Sequence, residues 1–314
     1  MEAMMLGPIG PIVSNFLRGR GFIITRPTEI EKTFTRSYWK DWFSTDIKLF
    51  AAVYERNRAT LAGVKNWVSD EVLAGSLWRY GVPVEWNETR SSSVEQTGLM
   101  DVESEITAAD LISFVARRLG SEIAYLEIGV SVGKNLTQID RQVTNASLVG
   151  LDVEELNPIL GNQFSDCVSV GEPSEPYLVE TLSKGSVEKR TSLKRLTSDE
   201  RGNTFEYLSG DQFLDPTWAR LSGKKFNLIF SDGVHSGEAL RTELKFLLRY
   251  KLIDQNRFVM FWDDLHSLDM QSAFLDNART LCKMFGRTDN AISLYRLHGT
   301  YGMRRLMGMF SSLY

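Results

Sequence analysis

The sequence predicts an α/β fold with a doubly wound, mostly parallel sheet of seven strands and an N-terminal helical extension. Three observations lead to this prediction: short apolar runs after residue 120, amphipathic segments between them, and acidic residues where several runs end. Continuous apolar strands that alternate with helices are typical of a parallel sheet covered on both faces. The strands are predicted at 123–130, 147–153, 204–208, 226–230, 257–262, 291–297 and 303–310. The last two are expected to form a closing hairpin.

Three helices in this part of the chain have local signals. Thr107 can cap a helix over 108–119, which Gly120 can end. Ser267 can cap another helix, which Gly286 can end. Between the predicted fourth and fifth strands, leucines fall on one helical face with charges opposite. They are Leu240, Leu244, Leu247 and Leu248.

The first 105 residues have a different pattern, without a convincing alternating strand. Between residues 29 and 80, apolar and aromatic residues recur at helical spacing, and five of the seven tryptophans lie before residue 87. We therefore expect a helical region over 1–105, acting as a lid, a substrate-binding element or an oligomerisation surface, and an α/β domain over 106–314. Within that domain, residues 160–203 are polar and charge-rich, so we predict an insertion that is partly helical.

The composition restricts the partners and the location that we expect. The net charge is −4, from 36 basic and 40 acidic residues, so no basic excess can neutralise a nucleic-acid backbone, and no nucleic-acid partner is expected. Without a run of about 18 uncharged apolar residues, no membrane segment is expected either. Cys167 and Cys282 lack metal-binding spacing and are expected to be free thiols in a reducing cytoplasm. The tryptophan-rich extension is compatible with a homo-oligomer.

The glycine-containing turn after the first predicted strand is the first candidate binding site. Glu127, Gly129 and Gly133 form the pattern E-x-G-x-x-x-G. Glycines let the backbone turn sharply and approach a ligand closely, and the helix that follows offers N–H groups without helical partners. The spacing differs from the G-x-G-x-x-G pattern of dinucleotide-binding proteins. A plain β–α connection is the alternative interpretation of this turn alone.

Acidic residues also mark the next two strand ends. Asp152 closes the second predicted strand, 25 positions after Glu127, and suits the hydroxyl groups of a ribose. Asp211 belongs to a Gly-Asp pair after the third strand and is followed by Gln212. Ligands of open α/β sheets bind outside the carboxyl ends of the strands, so several acidic ends in succession favour one shared ligand site.

The fourth and fifth strands end in acidic residues with a histidine nearby. Asp232 and His235 lie in FSDGVHSGEAL, and Asp263, Asp264 and His266 lie in FWDDLHS. Neighbouring strand ends can face one crevice, so the three aspartates could converge, and close carboxylates need a compensating cation. Carboxylate oxygens suit Mg²⁺, with Mn²⁺ or Ca²⁺ as alternatives, better than zinc. The alternative is helix capping, which explains one acid per turn but not the Asp-Asp pair.

In this order, the glycine turn, the acidic end of strand two and the Gly-Asp pair after strand three resemble the motifs of class I S-adenosylmethionine-dependent methyltransferases, whose sheet is Rossmann-like. The resemblance implies that Gly129 and Gly133 bound the methionine end of the cofactor, with Asn135 near its carboxylate. It also implies that Asp152 holds the ribose and that Asp211 lies near the adenine. The cofactor-binding residues implied are Glu127, Gly129, Gly133, Asn135, Asp152, Asp211, Gln212 and Asp232.

The D-G-x-H-S turn followed by a D-D strand end resembles a narrower group, the metal-dependent O-methyltransferases of the macrocin and mycinamicin type, which act on sugar hydroxyls. Catechol O-methyltransferase is a more distant relative. The resemblance covers about residues 122–310 and not the first 105. It implies transfer of a methyl group to a hydroxyl of a small molecule, such as a sugar or natural product. The divalent cation would be held by Asp232, Asp263 and Asp264.

A neutral alcohol is a poor nucleophile, so this reaction also needs a proton acceptor. We predict that His235 and Asp232 are the catalytic residues, with His235, three residues after Asp232, as the base and His266 ranked lower. Two alternatives stay open. One is a metal-independent O- or N-methyltransferase that uses His235 alone, and the other is a non-catalytic nucleotide-binding protein with a Rossmann-like sheet.

Overall fold

The computed structural model describes residues 27–36, 46–63, 106–120, 122–131, 133–161, 163–164, 166–172, 174, 176–181, 185–197, 201–298 and 304–313. The chain divides into two compact units, 1–34 and 35–314. The first contains helix α1 (Glu29–Phe34), which begins with a reciprocal cap. Thr28 Oγ1 accepts the Glu31 N–H at 3.1 Å, and Glu31 Oε2 accepts the Thr28 N–H at 2.8 Å.

The second unit is built on a large central sheet. The described strands are β1 (Ala124–Ile128), β2 (Ser147–Asp152), β3 (Asp166–Ser169), β4 (Pro176–Thr181), β5 (Gly185–Arg190), β6 (Ser192–Thr197), β7 (Thr204–Ser209), β8 (Leu228–Ser231), β9 (Val259–Trp262), β10 (Ile292–His298) and β11 (Arg304–Ser311). Strands β7-β2-β1-β8-β9 are parallel neighbours in that order. Strand β11 is antiparallel to β9, and β10 is antiparallel to β11. These strands confirm the predicted doubly wound, mostly parallel sheet and its closing hairpin.

The inserted region differs from the prediction, because most of its described residues form strands rather than helices. Strands β3 and β6 extend the sheet to nine strands, with β6 antiparallel to β7 and β3 antiparallel to β6. Strands β4 and β5 form a separate hairpin. The edge of β7 offers backbone groups that a further strand can pair, and this pairing buries Leu193 and Leu196 of β6. Pairing with a neighbouring strand therefore outweighs the polar local pattern on which the helical prediction relied.

Helices cover both faces of the sheet. The described helices of this unit are α2 (Ile47–Gly63), α3 (Ala108–Leu119), α4 (Lys134–Gln142), α5 (Pro158–Gly161), α6 (Asp215–Ala219), α7 (Gly237–Arg249) and α8 (Leu268–Phe285). Helices α2, α3 and α4 contact one another, and α7 contacts α8. Tyr125 of β1 packs with Phe114 of α3 and Ile139 of α4, whereas the next residue, Leu126, is buried on the opposite face.

The predicted helix boundaries are confirmed. Thr107 precedes α3 with a capping box, and Gly120 follows it. Ser267 Oγ accepts the Met270 N–H at 3.2 Å at the start of α8. Gly286 ends that helix in the left-handed region, with φ +61°.

A buried ion pair fixes α2 to the helices of the sheet. Asp110 of α3 is fully buried and accepts hydrogen bonds from Arg58 Nη2 at 2.7 Å and Asn57 Nδ2 at 2.8 Å. Gln142 at the end of α4 donates to Asn57 Oδ1 at 2.8 Å. Helix α2 is therefore part of the same packed unit as the sheet. The predicted division at residue 105 stays a prediction.

Among the helices that the described ranges contain, none has the length and apolar character needed to cross a membrane. Cys167 is exposed and Cys282 is buried, and both are free thiols.

Candidate active site

Four acidic or glycine positions form a row at the carboxyl edge of the sheet. Ile128 of β1 pairs with Leu151 of β2 and with Ser231 of β8, and Ser231 pairs with Trp262 of β9. The residue that follows each of these positions is therefore in register with its neighbours. These residues are Asp152, Gly129, Asp232 and Asp263. The structure thus brings the predicted strand-end residues to one rim.

Backbone hydrogen bonds continue the parallel pairing into the turns beyond the strands. Gly129 N–H donates to Leu151 O at 2.8 Å, and Asp232 N–H donates to Ile128 O at 2.7 Å. Asp263 N–H donates to Ser231 O at 2.9 Å. The four turns are therefore held at fixed spacing by the sheet itself.

Gly129 has a steric reason to be glycine. Its φ is +85°, and a Cβ atom at this position would lie 2.1 Å from the carbonyl oxygen of Asp232. The close approach is thus to the neighbouring turn. Gly133, at φ +76°, precedes α4, and a Cβ atom there would lie 2.7 Å from Leu160 Cδ2. Both glycines allow the β1–α4 turn to pack tightly against its surroundings.

Asp152 organises the end of β2. Its Oδ2 accepts the Ser131 N–H at 2.7 Å, and its Oδ1 accepts the Glu154 N–H at 2.8 Å. Burial raises the pKa of the Asp152 carboxyl, and the backbone hydrogen bonds oppose this effect. Asp152 therefore ties the β1–α4 turn to the turn after β2.

Glu127 lies beneath this rim, with only 1% of its surface exposed. The Tyr125 hydroxyl donates to Glu127 Oε2 at 2.8 Å, and the Asn135 side chain also hydrogen-bonds to this carboxyl. Burial, reinforced by the charges of Asp232 and Asp152, raises the pKa of Glu127 well above its ordinary value. The environment favours the protonated form of Glu127.

The two predicted residues after β7 are placed differently. Asp211 is partly exposed, and its Oδ1 accepts the Phe213 N–H at 2.8 Å. Gln212 is buried, and its Nε2 donates to Glu243 Oε1 at 3.2 Å. Gln212 Oε1 accepts the Val234 N–H at 3.4 Å. The amide of Gln212 is thus engaged with α7 and with the turn after β8, whereas Asp211 remains at the rim.

The turns after β8 and β9 bring one histidine between two aspartates. His235 Nε2 lies 3.3 Å from Asp232 Oδ1, and His235 Nδ1 lies 3.6 Å from Asp264 Oδ2. One ligand atom from each of the three residues lies within 4.8 Å of the other two. The structure therefore brings Asp232 and Asp264 together with His235.

The Asp-Asp pair is divided between two positions. Asp263 is 2% exposed, its Oδ1 accepts the Asp264 N–H at 2.8 Å, and it is not in the three-residue group just described. Asp264 has φ +50°, a left-handed conformation that aspartate adopts more readily than most residues. The turn therefore directs Asp264 toward His235 and keeps Asp263 behind it.

The charges around His235 act on its protonation. The hydrogen bond to Asp232 raises the pKa of His235, the charges of Asp264 and Asp263 add to this effect, and burial opposes it. His266 is exposed, and its ring centre lies 6.1 Å from that of His235. Both histidines predicted from the sequence therefore lie at this end of the rim.

A further buried acid, Glu243 of α7, was missed by the sequence reasoning. It is fully buried, and the Ser231 hydroxyl donates to its Oε2 at 2.5 Å. Burial raises the pKa of Glu243 to about 8. The signal was present in the sequence, because Glu243 lies beside Leu240 and Leu244 on the apolar face of the helix. A carboxyl on such a face needs buried partners.

No protein-family model and no curated protein matches this chain. The solved structures to which this chain is similar include the O-methyltransferase TomG from Streptomyces achromogenes in complex with S-adenosylmethionine. The two sequences are 15% identical, the match covers 78% of this chain and 91% of TomG, and the TM-score is 0.40. An O-methyltransferase from Bacillus cereus has 11% identity, coverage of 89% and 99%, and a TM-score of 0.39. The N-methyltransferase NodS from Bradyrhizobium japonicum has 12% identity, coverage of 71% and 94%, and a TM-score of 0.37.

Proposed function

We propose that this protein is an S-adenosylmethionine-dependent methyltransferase that uses a divalent cation and transfers a methyl group to a hydroxyl of a small molecule. The observation that carries the proposal is the row of Asp152, Gly129, Asp232 and Asp263, held in register at the carboxyl edge of the parallel strands. Ligands of such sheets bind outside this edge. At one end of the row, the Asp152 carboxylate suits a ribose. Two strands away, Asp232 belongs to a cluster of carboxylates beside His235.

The cofactor would lie along the β2 and β1 ends of the row. Three backbone N–H groups interact with the Asp152 carboxylate, and a carboxylate offers about four acceptor positions, so capacity remains for a ribose hydroxyl. Glu127 and Asn135 would contact the amino-acid end from below. When bound, S-adenosylmethionine supplies an electrophilic methyl group on a cationic sulfur. The neighbouring carboxylates would stabilise that positive charge.

The β8 and β9 ends fit a divalent cation. One carboxylate oxygen of Asp232 and one of Asp264 lie within 4.8 Å of each other, beside His235. Asp263 lies directly behind Asp264 and would complete an oxygen-only set suited to Mg²⁺ or Mn²⁺. A bound cation would lower the pKa of an acceptor hydroxyl and fix its position.

His235 would accept the proton that the acceptor hydroxyl loses. Its Nε2 lies 3.3 Å from Asp232 Oδ1, so a proton held at Nε2 is stabilised by that carboxylate. Apolar side chains open to solvent flank the histidines in sequence: Val234 is 49% exposed, and Leu268 is 71% exposed. They would contact the carbon skeleton of a small acceptor, such as a sugar or another natural product.

Asp264→Asn provides the sharpest test. Asparagine keeps the size of the side chain and tolerates the left-handed backbone, so the variant loses the charge and little else. We expect calorimetry to show unchanged binding of S-adenosylhomocysteine, weaker binding of Mn²⁺, and methyl transfer reduced at least 100-fold. The matched control is Asp276→Asn on the exposed surface of α8. Full activity of Asp264→Asn in the presence of EDTA would remove the metal from the proposal.

A second candidate is a metal-independent methyltransferase. It is favoured by one observation: both ring nitrogens of His235 already face carboxylates, so a protonated His235 would balance their charge without an added cation. In that case activity would resist EDTA but would still be lost in His235→Ala. Loss of activity in EDTA, with recovery on addition of Mg²⁺, selects the first candidate.

A further inference from the structure

The hairpin of β4 and β5 has one face toward the rim and one face toward solvent. Tyr177 and Lys189 are directly opposite each other in the register, so their side chains share a face. The Tyr177 hydroxyl lies beside Asp211, and its pKa is raised by burial. On the other face, Leu178 and Glu188 are exposed. The hairpin therefore stands with its Tyr177–Lys189 face against the ends of β2 and β7.

Lys189 is the strongest link between the hairpin and the rim. Its Nζ donates to Glu154 Oε2 at 2.6 Å and to the carbonyl oxygen of Val153 at 2.9 Å. The side chain of Lys189 is only 15% exposed, whereas that of Glu154 is 42% exposed. The ammonium group thus makes two charge-assisted hydrogen bonds to consecutive residues of one turn.

This turn supplies a hydrogen-bond donor to Asp152. The Glu154 N–H donates to Asp152 Oδ1 at 2.8 Å, so a shift of the turn would move the hydrogen-bond donor of the carboxylate. Ser209 Oγ and Tyr207 Oη of β7 hold the carbonyl of Glu154 from the other side, at 2.7 and 3.1 Å. The turn is therefore fixed by β7 on one side and by the inserted hairpin on the other.

We propose that the β4–β5 hairpin forms the side wall of the nucleoside end of the cofactor site, and that Lys189 is a positioning residue that orients Asp152 through Val153 and Glu154. This proposal rests on the proposed function, in which Asp152 binds a ribose. It assigns to the hairpin a role in selecting ligands that carry an intact ribose diol. Lys189 itself does not contact the ligand, because its ammonium group is engaged with the turn.

The test compares the binding of S-adenosylhomocysteine with that of its 2′-deoxy analogue by calorimetry. Lys189→Met removes the charge and keeps a long apolar side chain that can cover the same surface. We expect the variant to bind S-adenosylhomocysteine about tenfold more weakly, which lies within the range of coupling between residues of one hydrogen-bond network. Binding of the 2′-deoxy analogue should change little, so the preference for the intact ribose should narrow. A purely structural role of Lys189 would weaken both ligands equally.

Lys224→Met is the matched control. Lys224 makes an ion pair of the same length, 2.6 Å, with Glu206, away from the strand ends. Glu154→Gln breaks the Lys189–Glu154 ion pair by changing the other residue, and it should reduce the preference for the intact ribose in the same way. This second variant keeps the test valid if Lys189→Met folds poorly. If Lys189→Met and Glu154→Gln both keep the wild-type preference for S-adenosylhomocysteine over its 2′-deoxy analogue, the positioning role is overturned and the proposed function is left intact. Failure of the wild-type protein to bind S-adenosylhomocysteine would overturn the proposed function itself.

Discussion

The buried carboxyl of Glu243 should make the stability of the protein fall as the pH rises. Its pKa is about 8 in the folded chain, against an ordinary value of 4.5. At about 1.4 kcal/mol for each pKa unit, this gap corresponds to about 5 kcal/mol as an order of magnitude. Because the folded-state pKa is raised, the stabilising contribution is complete below pH 4.5 and is lost as the pH rises through 8.

Glu243→Gln isolates this contribution. A glutamine amide resembles the protonated carboxyl, since its N–H can donate to Ser231 Oγ while its oxygen accepts from Gln212 Nε2. The variant does not titrate, so it lacks the slope of about 1.4 kcal/mol per pH unit that Glu243 contributes. Between pH 5 and pH 8, we expect the free energy of unfolding of the variant to rise relative to wild type by about 4 kcal/mol.

The measurement is urea-induced unfolding at several pH values from 5 to 8, with wild type and variant in parallel. The difference between the two proteins cancels the contributions of the other titrating groups. Glu238→Gln, an exposed position near the start of the same helix, controls for the loss of one acidic group. If the difference in the free energy of unfolding between wild type and Glu243→Gln is the same at every pH in this range, the reasoning from burial is wrong.

Three other substitutions test the packing and the chemistry of the site. Gly129→Ala should cost about 3 kcal/mol of stability and abolish binding of S-adenosylhomocysteine, because the added Cβ would lie 2.1 Å from a carbonyl oxygen. Gly223 is also at φ +85°, but nothing lies within 4 Å of a Cβ atom placed there, so Gly223→Ala should cost only about 1 kcal/mol in the same urea titration. His235→Ala should lower the rate of methyl transfer at least 100-fold and keep Mn²⁺ affinity, and a loss of Mn²⁺ affinity in calorimetry would instead make the histidine a metal ligand. Arg58→Met should destabilise the protein by about 3 kcal/mol because it leaves the buried Asp110 without its cation, and the additional change Asp110→Asn should recover part of this loss in thermal unfolding.

The strands and helix ends were accessible from the sequence because their signals are local. The buried positions of Ala124–Ile128 are apolar apart from Glu127. A serine precedes α8 and a glycine follows it. The row at the rim could also be predicted, since parallel strands bring their carboxyl ends to one edge whatever the details of packing. These inferences needed only chain order and the direction of the strands.

Other features depend on contacts that chain order does not contain. Strand β6 pairs with the edge of β7 and β3 pairs with β6, and no pattern within 160–203 identifies these partners. The different positions of Asp263 and Asp264 depend on one left-handed backbone angle. Adjacent aspartates look equivalent in the sequence, although only one of them lies beside His235.

Two buried acids beneath the rim have a common effect on its charge. Glu127 lies under the β1 turn and Glu243 lies behind the β8 turn, and burial, reinforced by the charge of Asp232, raises the pKa of both. Burial already favours their protonated forms, so the negative charge of the site is concentrated on the carboxylates at the surface of the rim. A cationic ligand at this edge of the sheet would therefore be attracted to Asp232 and Asp264, which lie beside His235. In their protonated forms, Glu127 and Glu243 would keep their hydrogen bonds to Tyr125 and Ser231 without adding charge that would repel those carboxylates.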